Sequence, residues 1–316
     1  MKIPVSVVIP TMNRPESLER TLKCLLEGKS IPNQVVIVDQ SQTQEMRNAN
    51  RCVLQQFDMN SDFFTYEYQQ VPSLTKARNL GMSKIVNEIV VFADDDVDVN
   101  TDTLKNVYSI MQNKYIAMVA GIDEFTQSSA TNIGYLLGTK SYNKRDIGHV
   151  TLSMLGRYPD NVEKQTETEW AMGYFFVVRK SLIDKWNCRW DENLTSYAYA
   201  EDLDFSYTYY KQAKSEGYRC ILDPSVKVKH LATKEYRIPG AKSIYMYVVN
   251  RLYLSHKHHM GYVGLVACSW CNFWRLIQSI ISHQNAKIYA KAILCSYRYR
   301  KSIYSGNLDY DKFMKS

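Results

Sequence analysis

The stretch IVVFADDDVDVN, residues 89–100, is an apolar run that ends in three consecutive aspartates. A run such as Ile89–Ala93, apolar throughout, is typical of a strand buried on both faces of a parallel sheet. Adjacent carboxylates repel one another unless a metal ion, a basic side chain or open solvent lies among them. Because open α/β sheets bind ligands beyond the carboxyl ends of their strands, the triplet predicts both a fold class and the place of a site.

Apolar runs alternate with helical patterns through the first 121 residues. Strands are predicted at 5–9, 35–38, 63–70, 89–93 and 116–121. The alternation predicts an α/β fold with a Rossmann-like, mostly parallel central sheet and helices on both faces. Asn13, Asp39 and Asp94 each lie just beyond a predicted strand, so three segments are expected to converge on one crevice. Residues 122–168 show little pattern and are expected to form loops over the mouth of the sheet.

The composition is that of an ordinary globular protein. Of the 316 residues, 45% are apolar and 22% are charged, which is enough to bury a sizeable core. Seven cysteines, odd in number and scattered, fit reduced thiols in the cytoplasm better than a disulfide framework. The start MKIPVSVVIP lacks the basic and small-residue parts of a signal peptide and is expected to form the first strand. We therefore expect a cytoplasmic protein.

Charge is divided unevenly along the chain. Residues 227–316 carry 15 Lys and Arg against 3 Asp and Glu, a balance of +12. Residues 1–226 carry a balance of −5. A strongly basic C-terminal third indicates an anionic partner at that end.

The aspartate triplet allows two interpretations. In an extended segment Asp94 and Asp96 point the same way, while Asp95 points away from them. Two such carboxylates suit Mg²⁺ or Mn²⁺, and they equally suit a solvated turn or the caps of a helix that begins near Thr101. An aspartate-nucleophile phosphatase is excluded because the spacing Asp-x-Asp-x-Thr/Val is not met.

Two further segments carry candidate groups whose residues alone leave their roles open. His230 ends an alternating strand pattern, and such a histidine is more often packed or solvated than a ligand. Glu201 and Asp202 open a predicted helix, where acids are favoured by the helix dipole. The functional interpretation is a general base held ionised by that helix end.

Seven segments together resemble an inverting family-2 glycosyltransferase with the GT-A fold, of the bacterial capsule or surface-polysaccharide type. They run in order from Val5 to about Leu231. The segments are VSVVIPTMNRPESLERTL, VVIVDQS, SLTKARNLGM, VVFADDDV, GYFFVVRKSLI, WDENLTSYAYAEDLDFSY and GYRCILDPSVKVKH.

The resemblance implies a role for each matching position. The nucleotide pocket would be lined by Pro10, Thr11, Asn13 and Arg14, with Asp39 bonding the base. The ribose, diphosphate and sugar of the donor would be contacted by Lys76, Arg78, Asn79, Asp94 and Asp95. A divalent cation, Mn²⁺ or Mg²⁺, would be held by Asp94, Asp96 and His230. Asp202 would be the catalytic base with Glu201 as the fallback, and Trp170 and Gly173 would border the acceptor.

The resemblance also implies the reaction. One sugar would move from a UDP- or dTDP-sugar to a hydroxyl of a glycan or lipid-linked oligosaccharide. The chain lacks the Q-x-x-R-W motif of processive synthases, so a single addition is expected. It departs from many relatives at Gln40, Ser41 and Gln42 after the second strand, and at Thr208, where they carry arginine. The alternative is a catalytically silent relative that binds a nucleotide sugar or a membrane.

The division implied is a GT-A catalytic domain at 1–235 and a basic, aromatic-rich helical region at 236–316. Within the latter, YVGLVACSWCNFWRLIQSIISH has the length of a membrane span, but Asn272, Arg275 and Gln278 argue against one. Its apolar residues recur at three- and four-residue steps along one helical face: Val263, Val266, Trp270, Phe273, Ile277 and Ile280. That face is expected either to pack on the catalytic domain or to lie on an anionic membrane surface. No nucleic-acid-binding motif accompanies the basic residues, so nucleic acid is not an expected partner.

Overall fold

The computed structural model describes residues 1–57, 62–124, 132–138, 142–143, 146–231 and 240–315. Its strands are β1 (Lys2–Thr11), β2 (Ile31–Asp39), β3 (Phe64–Tyr68), β4 (Ile89–Ala93), β5 (Val97–Val99), β6 (Ile116–Asp123), β7 (Tyr142–Asn143), β8 (His149–Val150), β9 (Gly156–Pro159), β10 (Thr166–Glu167), β11 (Phe175–Arg179) and β12 (Arg219–His230). Its helices are α1 (Pro15–Leu26), α2 (Gln44–Gln55), α3 (Leu74–Met82), α4 (Thr103–Ile110), α5 (Asn132–Leu136), α6 (Lys180–Lys185), α7 (Glu201–Ser215), α8 (Gly240–Lys257), α9 (Gly261–Ile281), α10 (Ala286–Arg298), α11 (Arg300–Tyr304) and α12 (Tyr310–Lys315).

Within the described residues, nine strands form one central sheet in the order β10-β12-β6-β11-β4-β1-β2-β3, with β5 paired to β12. The half from β4 to β3 is parallel, and β6 and β12 also run parallel to each other. β11 lies antiparallel between β4 and β6. The expected mixed α/β fold with a large, mostly parallel sheet and flanking helices is confirmed. A small sheet of β7, β9 and β8 lies beside it.

Both faces of the sheet are buried, because alternate residues of each strand enter different cores. On β1, Val7 and Ile9 join one apolar cluster, while Val8 joins the other. Helices α1, α2 and α4 contribute to the first cluster, and α3, α6 and α7 contribute to the second. This explains why the central strands are apolar throughout rather than alternating.

The strand pair β5–β12 brings the end of β12 to the aspartate triplet. β12 runs antiparallel to β5, with Val228 opposite Val99 and His230 opposite Val97. The backbone N–H of Leu231 also donates to the carbonyl of Asp96 at 3.0 Å. His230 therefore lies beside the triplet although more than 130 residues separate them in sequence.

The C-terminal helices share a core with the central sheet. Side chains of α8, including Val248 and Leu252, join the same apolar cluster as Leu203 and Phe205 of α7. The boundary expected at 235 falls outside the described residues, so the division into two domains stays a prediction.

The orientation of α9 differs from one of the expectations. Among the described residues its apolar face stays about half exposed, and its buried residues are instead Gly264, Cys268, Cys271, Asn272 and Ser279. The reason lies in α8, where the fully buried guanidinium of Arg251 needs a polar acceptor and finds the side-chain oxygen of Asn272. Among the described residues, no helix combines the length and apolar character that a membrane crossing requires.

Candidate active site

Three side chains form a cluster with the geometry of a cation site. Ligand atoms of Asp94, Asp96 and His230 all lie within 4.8 Å of one another. The Nε2 atom of His230 is 3.4 Å from Oδ1 of Asp96, and the imidazole stacks on the ring of Tyr174 with centroids 5.1 Å apart. Burial alone would lower the pKa of His230, but its bond to Asp96 and the charge of Asp94 outweigh that effect and raise the pKa.

The middle aspartate points away from this cluster, as the extended geometry predicted. Its carboxylate accepts the Oγ1 hydrogen of Thr11 at 2.7 Å and pairs with the Nη2 atom of Arg14 at 2.5 Å. Arg14 also reaches Asp96, with Nη1 3.5 Å from Oδ2. Burial raises the pKa of Asp95 to about 7, against the opposing charge of Arg14. Asp95 thus ties the end of β1 to the end of β4.

Arg78 of α3 joins the aspartate triplet to the start of α7. Its side chain is almost completely buried and lies over the ring of Trp190, 4.5 Å from the centroid. Nη1 donates to Glu201 at 2.6 Å, and Nη2 donates to Asp94 at 2.9 Å. One guanidinium therefore holds two carboxylates whose segments are more than 100 residues apart in sequence.

The loop before α7 is strained in a way that sets the direction of its first acids. Ser196, Ala198 and Ala200 all adopt positive φ, between 55° and 67°, a conformation that costs non-glycine residues on the order of 1 kcal/mol each. Asp202 then accepts backbone N–H bonds from Gly173 at 2.8 Å and from Leu203 at 2.7 Å. Burial raises the pKa of Asp202, and these two bonds oppose the shift.

The site as a whole has an excess of negative charge. In the described part of the chain the five carboxylates of Asp94, Asp95, Asp96, Glu201 and Asp202 face two guanidinium groups, those of Arg14 and Arg78. With all five carboxylates ionised, the formal balance stays negative even when the nearby imidazole is protonated. Burial and then the charge of Asp202 raise the pKa of Glu201 to about 8. A dication at the cluster would neutralise most of this excess.

The residues expected around the nucleotide are distributed over several environments. Asp39 is fully buried and accepts bonds from Ser41 N–H at 2.7 Å, Asn50 at 2.9 Å and the Tyr66 hydroxyl at 2.6 Å. Asn13, at positive φ, bonds the same loop through Ser41. These contacts fix the loop after β2, and a bond from Asp39 to a nucleobase stays a prediction.

The other donor-side candidates lie on β1 and α3. Pro10 is buried at the end of β1, and Lys76 is exposed on α3. Asn79 forms bonds of 2.9 to 3.0 Å with the backbone of Trp190 and the carboxylate of Glu192. Their contacts with ribose and diphosphate also stay predictions.

A sequence profile described as glycosyl transferase family 2 matches residues 6–186. The chain belongs to this family. It is a glycosyltransferase with the GT-A fold. Among curated proteins no sequence matches the chain.

Solved structures support the fold. The mannosyltransferase PcManGT from Pyrobaculum calidifontis, in complex with GDP-Man and Mn²⁺, is similar with a TM-score of 0.55 and 15% identity, covering 99% of this chain and 87% of that one. S. aureus TarS 1–349 in complex with UDP-GlcNAc is similar with a TM-score of 0.51 and 16% identity, covering 94% of this chain and 92% of that one. GalNAc-T7 with UDP, GalNAc and Mn²⁺ is similar with a TM-score of 0.55 and 14% identity, covering 89% of this chain and 58% of that one.

On the acceptor side of this glycosyltransferase the two candidates differ. Gly173 lies between Arg78 and Asp202, because an added Cβ would stand 3.1 Å from both Arg78 Nη2 and Asp202 Cβ. Trp170 is only 6% exposed and packs on Tyr158, with ring centroids 4.8 Å apart. Its direct contact with an acceptor stays a prediction.

Tyr197 is a residue that the sequence analysis missed. It is largely exposed in the strained loop before α7. Desolvation, followed by the charges of Glu201, Asp94 and Asp202, raises its pKa to about 12. The segment TSYAYAED carried a weak signal, an aromatic residue close to the acids in sequence, but the fold was needed to show that the charge of Asp94 also acts on its hydroxyl.

Proposed function

We propose that this glycosyltransferase moves one sugar from a UDP- or dTDP-sugar to a hydroxyl of a glycan or lipid-linked oligosaccharide, with inversion at the anomeric carbon. The pathway would be surface-polysaccharide biosynthesis, of a capsule or O-antigen. The observation that carries the proposal is the Arg78 bridge, which fixes Asp94 of the cation cluster and Glu201 at the start of α7. A candidate base at Asp202 then lies next to a candidate diphosphate site.

The cluster of Asp94, Asp96 and His230 fits a divalent cation by its donor set. Carboxylate oxygens suit Mg²⁺ and Mn²⁺, and an added imidazole favours Mn²⁺ of the two. PcManGT and GalNAc-T7 were both solved with Mn²⁺. When bound, the cation would offset the charge of a nucleoside diphosphate leaving group.

Asp202 is better suited than Glu201 to act as the base. Glu201 is buried and its Oε1 is held by Arg78. Asp202 is partly exposed and is held only by backbone N–H groups, which fix its direction and leave lone pairs free for an incoming hydroxyl. Its raised pKa makes it a stronger proton acceptor than an ordinary aspartate.

The proposed reaction is a single displacement. Asp202 accepts the proton of the acceptor hydroxyl while the oxygen forms a bond to the anomeric carbon. The bond from that carbon to the diphosphate breaks, and its electron pair leaves with the nucleoside diphosphate. Attack from the face opposite the leaving group inverts the configuration. Arg78 holds the cation cluster and the start of α7 in fixed positions relative to each other.

The uridine donor is supported by two similar structures, which hold UDP-GlcNAc and UDP with GalNAc. PcManGT holds GDP-Man, so the nucleobase is the least constrained part of the proposal. A lipid-linked acceptor would place the enzyme in the cytoplasm, at the inner face of the cytoplasmic membrane.

The decisive experiment compares donor binding with sugar transfer. Calorimetric titration with UDP is expected to show Mn²⁺-dependent binding that Asp96→Ala abolishes. Asp202→Asn is expected to bind UDP normally and to lose transfer about 10²- to 10⁴-fold. The matched control is Asp98→Asn, a nearby carboxylate that pairs with Arg20 outside the cluster.

Two outcomes would contradict the proposal. Normal transfer by Asp202→Asn would exclude it as the base. UDP binding by the wild-type chain without transfer to any glycan tested would instead favour a catalytically silent binding protein.

A further inference from the structure

Helix α9 presents its apolar stripe outward. Its side chains Val263, Val266, Trp270, Phe273 and Ile280 are between 49% and 59% exposed. They lie at three-, four- and seven-residue steps, so they share one face of the helix, on which Ile277 is partly buried. An exposed band of this length marks an interaction surface rather than scattered apolar residues.

The opposite face of α9 fixes this orientation. Asn272 accepts from the buried Arg251, and the Sγ atom of Cys271 lies 3.3 Å from the Ser153 hydroxyl. Gly138 approaches Cys271 so closely that an added Cβ would overlap the sulfur. Rotating the helix to bury its apolar band would break each of these contacts.

Two neighbouring helices extend the band. The indole N–H of Trp270 donates to the carbonyl of Leu136 at 3.0 Å, which places α5 beside it with Ile133 and Leu136 exposed. On the other helix, the hydroxyl of Tyr297 bonds that of Ser269 at 2.5 Å and places α10 alongside α9. Helices α5 and α10 thus both lie against α9, and each carries exposed apolar side chains of its own.

Helix α10 contributes positive charge to this surface. Lys287, Lys291, Leu294 and Arg298 recur at four-, three- and four-residue steps, so they share one face, and all four are exposed. No Asp or Glu occurs in the sequence between Glu235 and Asp309. Apolar side chains beside unopposed cations form a surface complementary to anionic lipid.

We propose that α9 and α10 dock on an anionic lipid surface, with the α9 band inserted among the acyl chains and the α10 cations against the head groups. Trp270 suits the boundary between the two, because its N–H is already bonded while much of its ring is exposed. A second copy of the chain is a poorer occupant, since pairing two such faces brings like charges together. The proposal does not depend on the donor, the base or the acceptor.

The experiment is flotation of the full chain with vesicles in 0.1 M salt, without donor or metal. Binding is expected to vesicles of phosphatidylcholine with phosphatidylglycerol, to be far weaker to phosphatidylcholine alone, and to weaken as salt rises. Lys287→Gln with Lys291→Gln is expected to reduce binding about fivefold for each charge. Phe273→Ser with Ile280→Ser is expected to reduce it more than about tenfold.

Matched controls separate this surface from general effects of substitution. Val86→Ser with Tyr115→Ser removes two apolar side chains that are exposed elsewhere. Lys105→Gln with Lys114→Gln removes two exposed charges elsewhere. Both control proteins are expected to bind vesicles as the wild type does.

Three results would overturn the proposal. The first is absence of binding to anionic vesicles. The second is an equal loss of vesicle binding in the surface and control variants. The third is a dimer in sedimentation velocity that the Phe273 and Ile280 substitutions dissociate, while the protein fails to bind vesicles. The last would assign the face to a second copy. If the serine variant did not fold, the lysine variant and the salt dependence of the wild type would still decide.

Discussion

Glu201→Gln is expected to remove a large part of the pH dependence of stability. Glu201 is buried against Arg78, and its pKa rises from 4.5 to about 8 in the folded protein. Between those values the native state keeps a proton that the unfolded chain has released. The free energy of unfolding of the wild type therefore falls as pH rises through this window. A glutamine cannot titrate, so the variant loses this contribution.

The magnitude follows from the shift. Between pH 5 and pH 8 the difference in proton binding integrates to about 2.6 pH units, and one unit corresponds to about 1.4 kcal/mol. The wild type should thus lose about 3–4 kcal/mol more than Glu201→Gln over that interval. The other site carboxylates remain in both proteins, so the difference between them reports Glu201.

The assay is guanidinium chloride unfolding with EDTA at pH 5, 6, 7 and 8. Glu163→Gln, an exposed glutamate, serves as the control and should follow the wild type. Parallel stability profiles for the wild type and Glu201→Gln would refute the reasoning, because they would mean that Glu201 is already ionised at pH 5.

Two substitutions away from the reacting groups test the packing. Lys257→Met should cost about 2–3 kcal/mol in the same assay, since the ammonium lies 2.7 Å from both the buried Asp204 and the largely buried Asp191. Lys180→Met, in an exposed pair, should cost less than about 1 kcal/mol. Equal losses would contradict the buried network. Gly156→Ala should cost about 1–3 kcal/mol because its Cβ would lie 2.3 Å from the ring of Trp170. The control Gly240→Ala, with open space around it, should change the free energy of unfolding by less than about 0.5 kcal/mol. If Gly156→Ala left stability unchanged, the Trp170 ring would have to be free to move.

The central sheet could be predicted from sequence because its signal is local. Each buried strand is a short apolar run, and the polar groups that follow lie at one edge of a parallel sheet. This placed Asp94 and Asp96 correctly beyond β4. The approach of His230 depended on the β5–β12 pairing, which no local pattern specifies.

The roles of the α3 residues were harder to predict, because side chains close together in the sequence of a helix point in different directions. Lys76, Arg78 and Asn79 were expected together around the donor. With 3.6 residues per turn they point in different directions. One is exposed, one is buried between carboxylates, and one bonds the loop at Trp190.

The orientation of α9 could not be predicted for a related reason. An amphipathic pattern identifies a face but not what covers it. Here the polar face is turned inward by Arg251, whose partner Asn272 is known only once two helices are packed.

The core that α8 shares with α7 has a consequence for synthesis. Residues from 240 onward leave the ribosome after the central sheet and α7, at about 5–20 residues per second. The earlier chain must therefore wait with an uncovered apolar face until the side chains of Val248 and Leu252 that close it have been made. During that interval the nascent chain is exposed to aggregation and to chaperones. A ribosome that stalls before residue 240 would release a product that cannot complete its interior.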